Sequence, residues 1–195
     1  GSAALDITPD GSKSSFTKTG KLEIFDADSS ESRFSLAVTP KGSNYGQLSI
    51  NSDGSYTYKA LAIQFRSLGV GESKVETFTV TSADGTQSKD IAVTIHGTNE
   101  APIVTANPLL SLLTTDGVKT VNLLQNAYDV DAKDVLSIRN LTYKVGTGSS
   151  TSSRPSGLTI DADGTTLRVD AAQFGVAAGS SKSVLISYDV YDGHT

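Results

Sequence analysis

The sequence repeats itself at an offset of 110 residues, and this repeat limits the folds available to the chain more than any other feature. Residues 48–56, LSINSDGSY, reappear in altered form at 158–166 as LTIDADGTT. Further matches keep the same order: FDAD at 25–28 with YDVD at 128–131, and DGT at 84–86 with DGH at 192–194. Two domains of about 100 residues would also account for the length of 195 residues. The sequence therefore predicts two related domains, which we place at 1–99 and 100–195.

Each copy has the pattern of short β-strands. Apolar residues alternate with polar or small ones at 78–81, 91–95 and 184–188, so one face of each strand is apolar. Asp-Gly pairs at 53–54 and 163–164 are typical of hairpin turns, in which Gly adopts a positive φ. The absence of Cys excludes a disulfide framework. We therefore predict an all-β chain of two tandem immunoglobulin-like or cadherin-like β-sandwiches.

The two predicted sandwiches meet near 97–102, GTNEAP. Pro102 biases the residue before it toward an extended conformation. Because a flexible connector would be longer and richer in Gly and Ser, we expect the domains to be joined end to end with a restricted range of angles. The second copy stops soon after a strand-like segment, so we also expect it to be truncated at its C-terminal strand.

The composition argues against several classes of function. Lys and Arg number 16 against 21 Asp and Glu, a net charge of −5, which is the wrong sign for a nucleic-acid-binding surface. No apolar run approaches the roughly 20 residues of a membrane-spanning helix. The sequence has no nucleophile elbow, phosphate loop or zinc-protease motif, and His96 and His194 lie far apart without Cys. We therefore expect no enzyme activity, no nucleic-acid partner and no direct membrane insertion.

Three segments of the first copy resemble the VCBS repeat, which occurs in tandem in giant bacterial RTX-type adhesins: YGQLSINSDGSYTY, LGVGESKVETFTVTSADGT and VTIHGTNEAP. The second copy, with VNLLQNAYDVDAKDVLSI and SYDVYDGHT, is similar to the cadherin-like repeats that accompany it. The resemblance implies monomeric sandwiches, secreted to the bacterial cell surface, that bind Ca²⁺ at domain junctions. It further implies neighbouring tandem domains of the same chain as partners, and a role in cell adhesion or biofilm formation.

The spacing of the aspartates independently favours Ca²⁺, which takes six to eight oxygen ligands. Asp129 and Asp131 are two residues apart, so on a strand or loop their carboxylates can converge on one ion. At the junction, Asn99 and Glu100 could add a carbonyl and a carboxylate, and Asp192 could arrive from the last hairpin. The sequence therefore predicts a junction site formed by these five residues.

The repeat predicts an equivalent site at the start of the first copy. Asp26 and Asp28 correspond to the pair in the second copy, and Asp84 corresponds to the aspartate of its last hairpin. This site would be incomplete without a preceding domain, unless Asp6 contributes. The alternative for all these aspartates is that they are ordinary turn residues that accept hydrogen bonds from backbone N–H groups.

Two hypotheses about function follow. In the first, Ca²⁺ at the junction stiffens a chain of sandwiches, and the segment is an extender of the adhesin. In the second, the segment is a module for a glycan or peptide ligand, and the Ser-rich loop at 146–157 with its Arg154 makes the contacts.

Overall fold

The computed structural model describes residues 3–25 and 32–194 and divides the chain into two compact units, Gly1–Glu100 and Ala101–Thr195. The regular elements of the described residues are β-strands and two four-residue 3-10 helices, Ala62–Phe65 and Ala171–Phe174. The predicted all-β class is confirmed. No described helix is long and apolar enough to cross a membrane.

Two sheets make up the first domain. Its strands are β1 Ala4–Ile7, β2 Ser15–Lys21, β3 Phe34–Lys41, β4 Gln47–Ile50, β5 Ser55–Leu61, β6 Ser73–Ser82 and β7 Ser88–His96. One sheet has the order β1-β7-β6-β3 and the other the order β2-β5-β4. All neighbours are antiparallel except β1, which runs parallel to β7 with Ala4 opposite Ala92. Alternation along these strands turns one face of each sheet inward.

The two inward faces form a closed apolar core. Tyr56, Tyr58 and Ala60 of β5 face this core from one sheet, and Ile91, Val93 and Ile95 of β7 face it from the other. The three side chains from β7 are completely buried. Burial of each such side chain contributes about 1.5–3 kcal/mol, so this core can stabilise the sandwich without a disulfide or a metal ion.

One carboxylate lies inside this core, and its hydrogen bonds are complete. The fully buried Glu76 accepts the backbone N–H groups of Tyr45 at 2.7 Å and Gly46 at 3.0 Å, and the Tyr58 hydroxyl at 2.8 Å. The pKa of the Tyr58 hydroxyl is raised well above its usual range, mainly because the group is buried and secondly because the Glu76 carboxylate lies beside it. A buried carboxylate with three donors is a structural element of the fold.

The second domain repeats much of this plan with shorter strands. They are β8 Ile103–Val104, β9 Val118–Asn122, β10 Ala127–Tyr128, β11 Ser137–Val145, β12 Leu158–Ile160, β13 Thr166–Asp170 and β14 Val184–Tyr191. The three-stranded sheet β9-β13-β12 corresponds to β2-β5-β4, and the pair β11-β14 corresponds to β3-β6. The short β8 and β10 form a separate pair. The described residues of this domain contain no counterpart of β7.

The core of the second domain is small and open. Four apolar side chains of its described residues are buried: Leu123, Tyr143, Leu158 and Leu167. Nine others that pack against them are half-buried, among them Ile186 and Tyr188 of β14. Beside this cluster lies a cavity of about 1320 Å³. Its wall includes part of the segment 105–117, which forms no strand and exposes Leu109 and Leu113.

The Ser-rich loop at 146–157 is held at one point. Thr151 forms an antiparallel bridge with Tyr143 of β11, through backbone hydrogen bonds of 2.8 and 2.9 Å. Arg154 in the same loop is exposed.

Candidate metal centre

The loop that follows β10 folds back on itself and directs two carboxylates to the same point. Asp129 comes directly after β10, and its Oδ1 accepts the backbone N–H of Asp131 at 2.9 Å. The backbone carbonyl of Asp131 then accepts the N–H of Asp134 at 3.1 Å. An Asx turn followed by a second turn is a conformation that Asp favours in loops. It places the Asp129 and Asp134 side chains close to each other.

A third carboxylate comes from a residue near the C-terminal end of the second domain's sequence. Asp192 is the first residue after β14, and its Oδ1 accepts the backbone N–H of His194 at 2.8 Å. Gly193 between them has a φ of 102°, which side chains rarely adopt, so this tight turn requires Gly. The turn brings residue 192 beside residues 129–134 although they are far apart in sequence.

The three carboxylates form one compact cluster. One oxygen from each of Asp129, Asp134 and Asp192 lies within 4.8 Å of the other two. The Asp134 side chain is 8 % exposed and Asp192 is 7 % exposed, so water reaches these charges poorly. Three negative charges at this separation repel one another by roughly 3 kcal/mol per pair in a medium with an effective dielectric constant of about 20.

Hydrogen bonds do not fully satisfy this cluster. Oδ2 of Asp129 and Oδ2 of Asp134 are buried and have no hydrogen-bond partner among the described residues. Near Asp134, the His194 Nε2 lies 3.4 Å from its Oδ1. Buried carboxylate oxygens are costly without a partner, and a bound cation satisfies both the geometry and the charge. The cluster is therefore one that could hold a metal ion.

The structure brings together two of the predicted ligands, Asp129 and Asp192, and adds Asp134, which is not among the predicted ligands. Asp131 is only 2 % exposed and lies between the other two aspartates of its loop. Its backbone carbonyl fixes the position of Asp134. The spacing Asp129-x-Asp131-x-x-Asp134 was the signal that could have identified the missing residue, because a second turn after the first returns the chain to the same point.

Asn99 and Glu100 lie at the end of the first domain. The Glu100 Oε1 is 3.7 Å from the Nε of Arg66, with the carboxylate mostly buried. Their predicted participation in a junction site with Asp129 and Asp131 stays a prediction.

The equivalent site in the first domain is only partly described. Asp26 and Asp28 lie outside the described residues. Asp84 is exposed and accepts hydrogen bonds from the Ser82 hydroxyl and from the hydroxyl and N–H of Thr86. Those bonds, the Ser82 hydroxyl first, lower the pKa of Asp84. Asp6 lies 3.2 Å from the Nε2 of His96.

Comparison with known families identifies the first domain. Residues 1–97 match the family model of the bacterial cadherin-like domain. The resemblance of the first domain to VCBS repeats and the cadherin-like assignment of the second domain stay predictions. A comparison with proteins of curated function found no match.

Similar solved structures include endo-fucoidan hydrolases of glycoside hydrolase family 107. MfFcnA4 is 17 % identical, with a TM-score of 0.32, over 94 % of this chain and 27 % of that one. MfFcnA9 is 19 % identical, with a TM-score of 0.24, over 79 % of this chain and 27 % of that one. The chain thus spans about a quarter of the length of these structures.

Proposed function

We propose that this chain is a non-catalytic extender segment of a bacterial surface adhesin, and that Ca²⁺ bound at Asp129, Asp134 and Asp192 stabilises its second domain. The observation that carries the proposal is the cluster itself: three carboxylates within 4.8 Å, with two buried oxygens that lack hydrogen-bond partners among the described residues. The bacterial cadherin-like match of residues 1–97 supports a modular, tandem architecture.

The donor set favours Ca²⁺ over other metals. Ca²⁺ binds carboxylate and carbonyl oxygens at about 2.3–2.6 Å, so two ligands on opposite sides of one ion are separated by up to about 5 Å. The observed limit of 4.8 Å agrees with this span. Zn²⁺ sites are usually tetrahedral and rich in Cys or His, whereas this chain has no Cys and one His near the cluster. Mg²⁺ demands shorter bonds and octahedral geometry, which three carboxylates from two loops supply poorly.

The position of the site supports a mechanical role. The ion would join the loop after β10 to the first residue after β14, and so add to the pairing of Ser137 with Tyr191 and to the contact of His194 with Asp134. A ligand that binds the folded state and not the unfolded state stabilises by about 2.7 kcal/mol at a concentration of 100 Kd. A domain outside the cell meets Ca²⁺ at millimolar concentrations, which suits a weak site of few charged ligands.

A direct test uses Ca²⁺ titration by calorimetry and thermal unfolding in millimolar Ca²⁺ and in excess chelator, at matched ionic strength. We expect one site per chain and a higher melting temperature with Ca²⁺. Asp134→Asn should abolish both effects, because it removes a charge from the cluster without changing its shape. The matched control is Asp163→Asn, since Asp163 is an exposed turn residue that accepts hydrogen bonds from Thr165 and Thr166.

If the titration heat and the melting temperature are the same in wild type and Asp134→Asn, the metal proposal is wrong.

The extender role has its own test. Single-molecule stretching should show that the second domain unfolds at higher force in Ca²⁺ than in chelator, and that the force for the first domain is unchanged.

The second candidate function is ligand binding by the loop at 146–157. Its supporting observation is the bridge between Thr151 and Tyr143, which holds the exposed Arg154 in a defined loop. Glycan and peptide arrays test it. Binding that Arg154→Ala removes, and that Lys182→Ala on another exposed loop leaves unchanged, would favour this function over the extender role.

A further inference from the structure

A cavity of about 650 Å³ opens at one end of the first domain. Three separate segments form its walls: the loop between β1 and β2, the 3-10 helix Ala62–Phe65 with the residue after it, and the end of β7 with the residues that follow it. Sites for small molecules usually have volumes of roughly 300–1,000 Å³. All lining residues of this cavity belong to the first domain, and it shares no residue with the proposed metal site.

Backbone hydrogen bonds hold these three walls in place. The N–H of Ala62 donates to the carbonyl of Ser14 at 3.0 Å, which joins the β1–β2 loop to the helix. The N–H of Gly97 donates to the carbonyl of Glu72 at 2.9 Å, and a side chain at residue 97 would clash with the Leu68 carbonyl. The cavity is therefore preformed, which reduces the loss of conformational freedom when a ligand binds.

Each wall contributes one basic side chain: Lys13 from the loop, Arg66 from the residue after the helix, and His96 from the end of β7. Of the described lining residues, Glu100 is the one acidic member. This excess of basic groups runs against the composition of the chain, in which 21 Asp and Glu outnumber 16 Lys and Arg. Lys and Arg side chains carry several N–H donors and no acceptor, so the lining favours a ligand with an anionic group.

The contacts that these side chains make within the fold leave donors available to a ligand. Asp10 lies 3.5 Å from the Nζ of Lys13, and Glu100 lies 3.7 Å from the Nε of Arg66. Both distances are long for an N–H···O hydrogen bond, and both basic side chains are exposed. Exposed ion pairs of this kind are weak. A ligand oxyanion can therefore bind the two terminal nitrogens of Arg66 while its Nε keeps the contact with Glu100.

The neutral part of the lining fits a sugar ring better than a bare ion. Pro9 and Ile63 are apolar, and Ile63 is 69 % exposed although it lines a cavity. Ser14 and Thr98 add hydroxyl groups, which both donate and accept hydrogen bonds. A pyranose ring has an apolar face and hydroxyl groups around its edge, and it matches this mixture. An isolated sulfate or carboxylate ion would leave the apolar wall without a partner.

From these observations we infer that the cavity binds an acidic sugar, that is, a pyranose that carries a carboxylate or a sulfate group. The anionic group contacts Lys13 and forms a bidentate contact with the Arg66 guanidinium, and the ring lies against Ile63. The first domain then has a binding role of its own, in addition to the proposed extender role of the chain.

The test is an NMR titration of the chain with glucuronate, galacturonate and glucose 6-sulfate, and with glucose as the neutral control, at constant Ca²⁺ and ionic strength. We expect the amide signals of residues 11–14 and 97–98 to shift, with a Kd at least about tenfold lower for an acidic sugar than for glucose. Arg66→Gln and Lys13→Gln should each raise that Kd about tenfold. The matched control is Lys59→Gln, which removes an exposed charge from β5 and should leave the Kd unchanged.

Three results would overturn the inference. One is a Kd above about 10 mM for all three acidic sugars. Another is that inorganic sulfate binds as tightly as glucose 6-sulfate, which would make the cavity a site for a bare anion. The last is an equal loss of binding in Lys59→Gln, which would indicate unspecific attraction between charges. Should Arg66→Gln lower the melting temperature of the domain, Arg66→Lys replaces it. That variant keeps the charge, loses the bidentate fork, and should still weaken binding.

Discussion

The first domain is closed around its core, whereas the second, built on the same plan, is open. Among the described residues, fifteen apolar side chains are buried in the first domain and four in the second. The first domain also completes the hydrogen bonds of its buried carboxylate, Glu76, from its own backbone and Tyr58. The second leaves two buried carboxylate oxygens without hydrogen-bond partners among the described residues. Related sequences thus differ in how they reach stability: apolar burial in one case, and a proposed metal ion in the other.

The largest effect should come from truncating one core residue in the first domain. Ile91→Ala removes a completely buried side chain and should lower the free energy of unfolding of that domain by about 2–5 kcal/mol. The matched change Ile186→Ala removes the same atoms from a half-buried position beside the cavity and should cost clearly less. Urea unfolding, followed by domain-specific hydrogen exchange, measures both. Equal costs would show that the second core is as closed as the first.

The next largest effect should come from chelation of Ca²⁺, which we expect to lower the stability of the second domain and not that of the first. We expect the second domain to lose about 3 kcal/mol in excess chelator relative to Ca²⁺ at about 100 Kd, because the ion binds only its folded form. Hydrogen exchange in β11 and β14 should accelerate while exchange in β6 and β7 stays the same. Acceleration in β6 and β7 of similar size would place the main metal site in the first domain and contradict the comparison.

Tyr58→Phe should have a smaller effect, confined to the first domain. It removes one donor from the buried Glu76 and should cost about 1–3 kcal/mol at neutral pH. The pKa of Tyr58 is raised in the folded state, so its contribution to stability is full below pH 10 and is lost as pH rises toward the folded value. Wild type should therefore lose first-domain stability above pH 10, and Tyr58→Phe should flatten that loss. If the stability of wild type and of Tyr58→Phe fell equally steeply with pH above 10, the Tyr58 hydroxyl would not be the group responsible for the loss.

The smallest effect should come from Asp84→Asn. Hydrogen bonds from Ser82 and Thr86 lower the pKa of this exposed carboxylate in the folded protein. Its contribution is therefore present above about pH 4 and is lost as pH falls through the lowered folded value. We expect a melting-temperature difference near the detection limit at pH 7 that becomes smaller still as pH falls below about 4. The corresponding change at the second turn, Asp192→Asn, should be much larger at pH 7 if that residue binds Ca²⁺.

The fold was largely predictable because strand alternation and turn residues are local signals. The buried face of β7 and the turn at Gly85 follow directly from period-two alternation and from the Asp-Gly pair. The metal cluster was only partly predictable. Asp129 and Asp192 could be placed together because the repeat aligns their loops. Asp134 depends on a second turn, which the spacing of residues 129, 131 and 134 signals more weakly than the repeat does.

The irregularity in β11 has a consequence for how such a chain avoids aggregation. The pairing of β11 with β14 shifts register between Arg139 and Thr142, and Asn140 there has a φ of 54°. The edge strand β3 carries a shift at the corresponding place, between Phe34 and Val38. Neighbouring copies of related sequence are at high local concentration, and straight edges would let one copy capture a strand of another. A bulge on each of these outer edges disrupts the regular ladder that such capture requires, so misassembly is discouraged at β3 and β11.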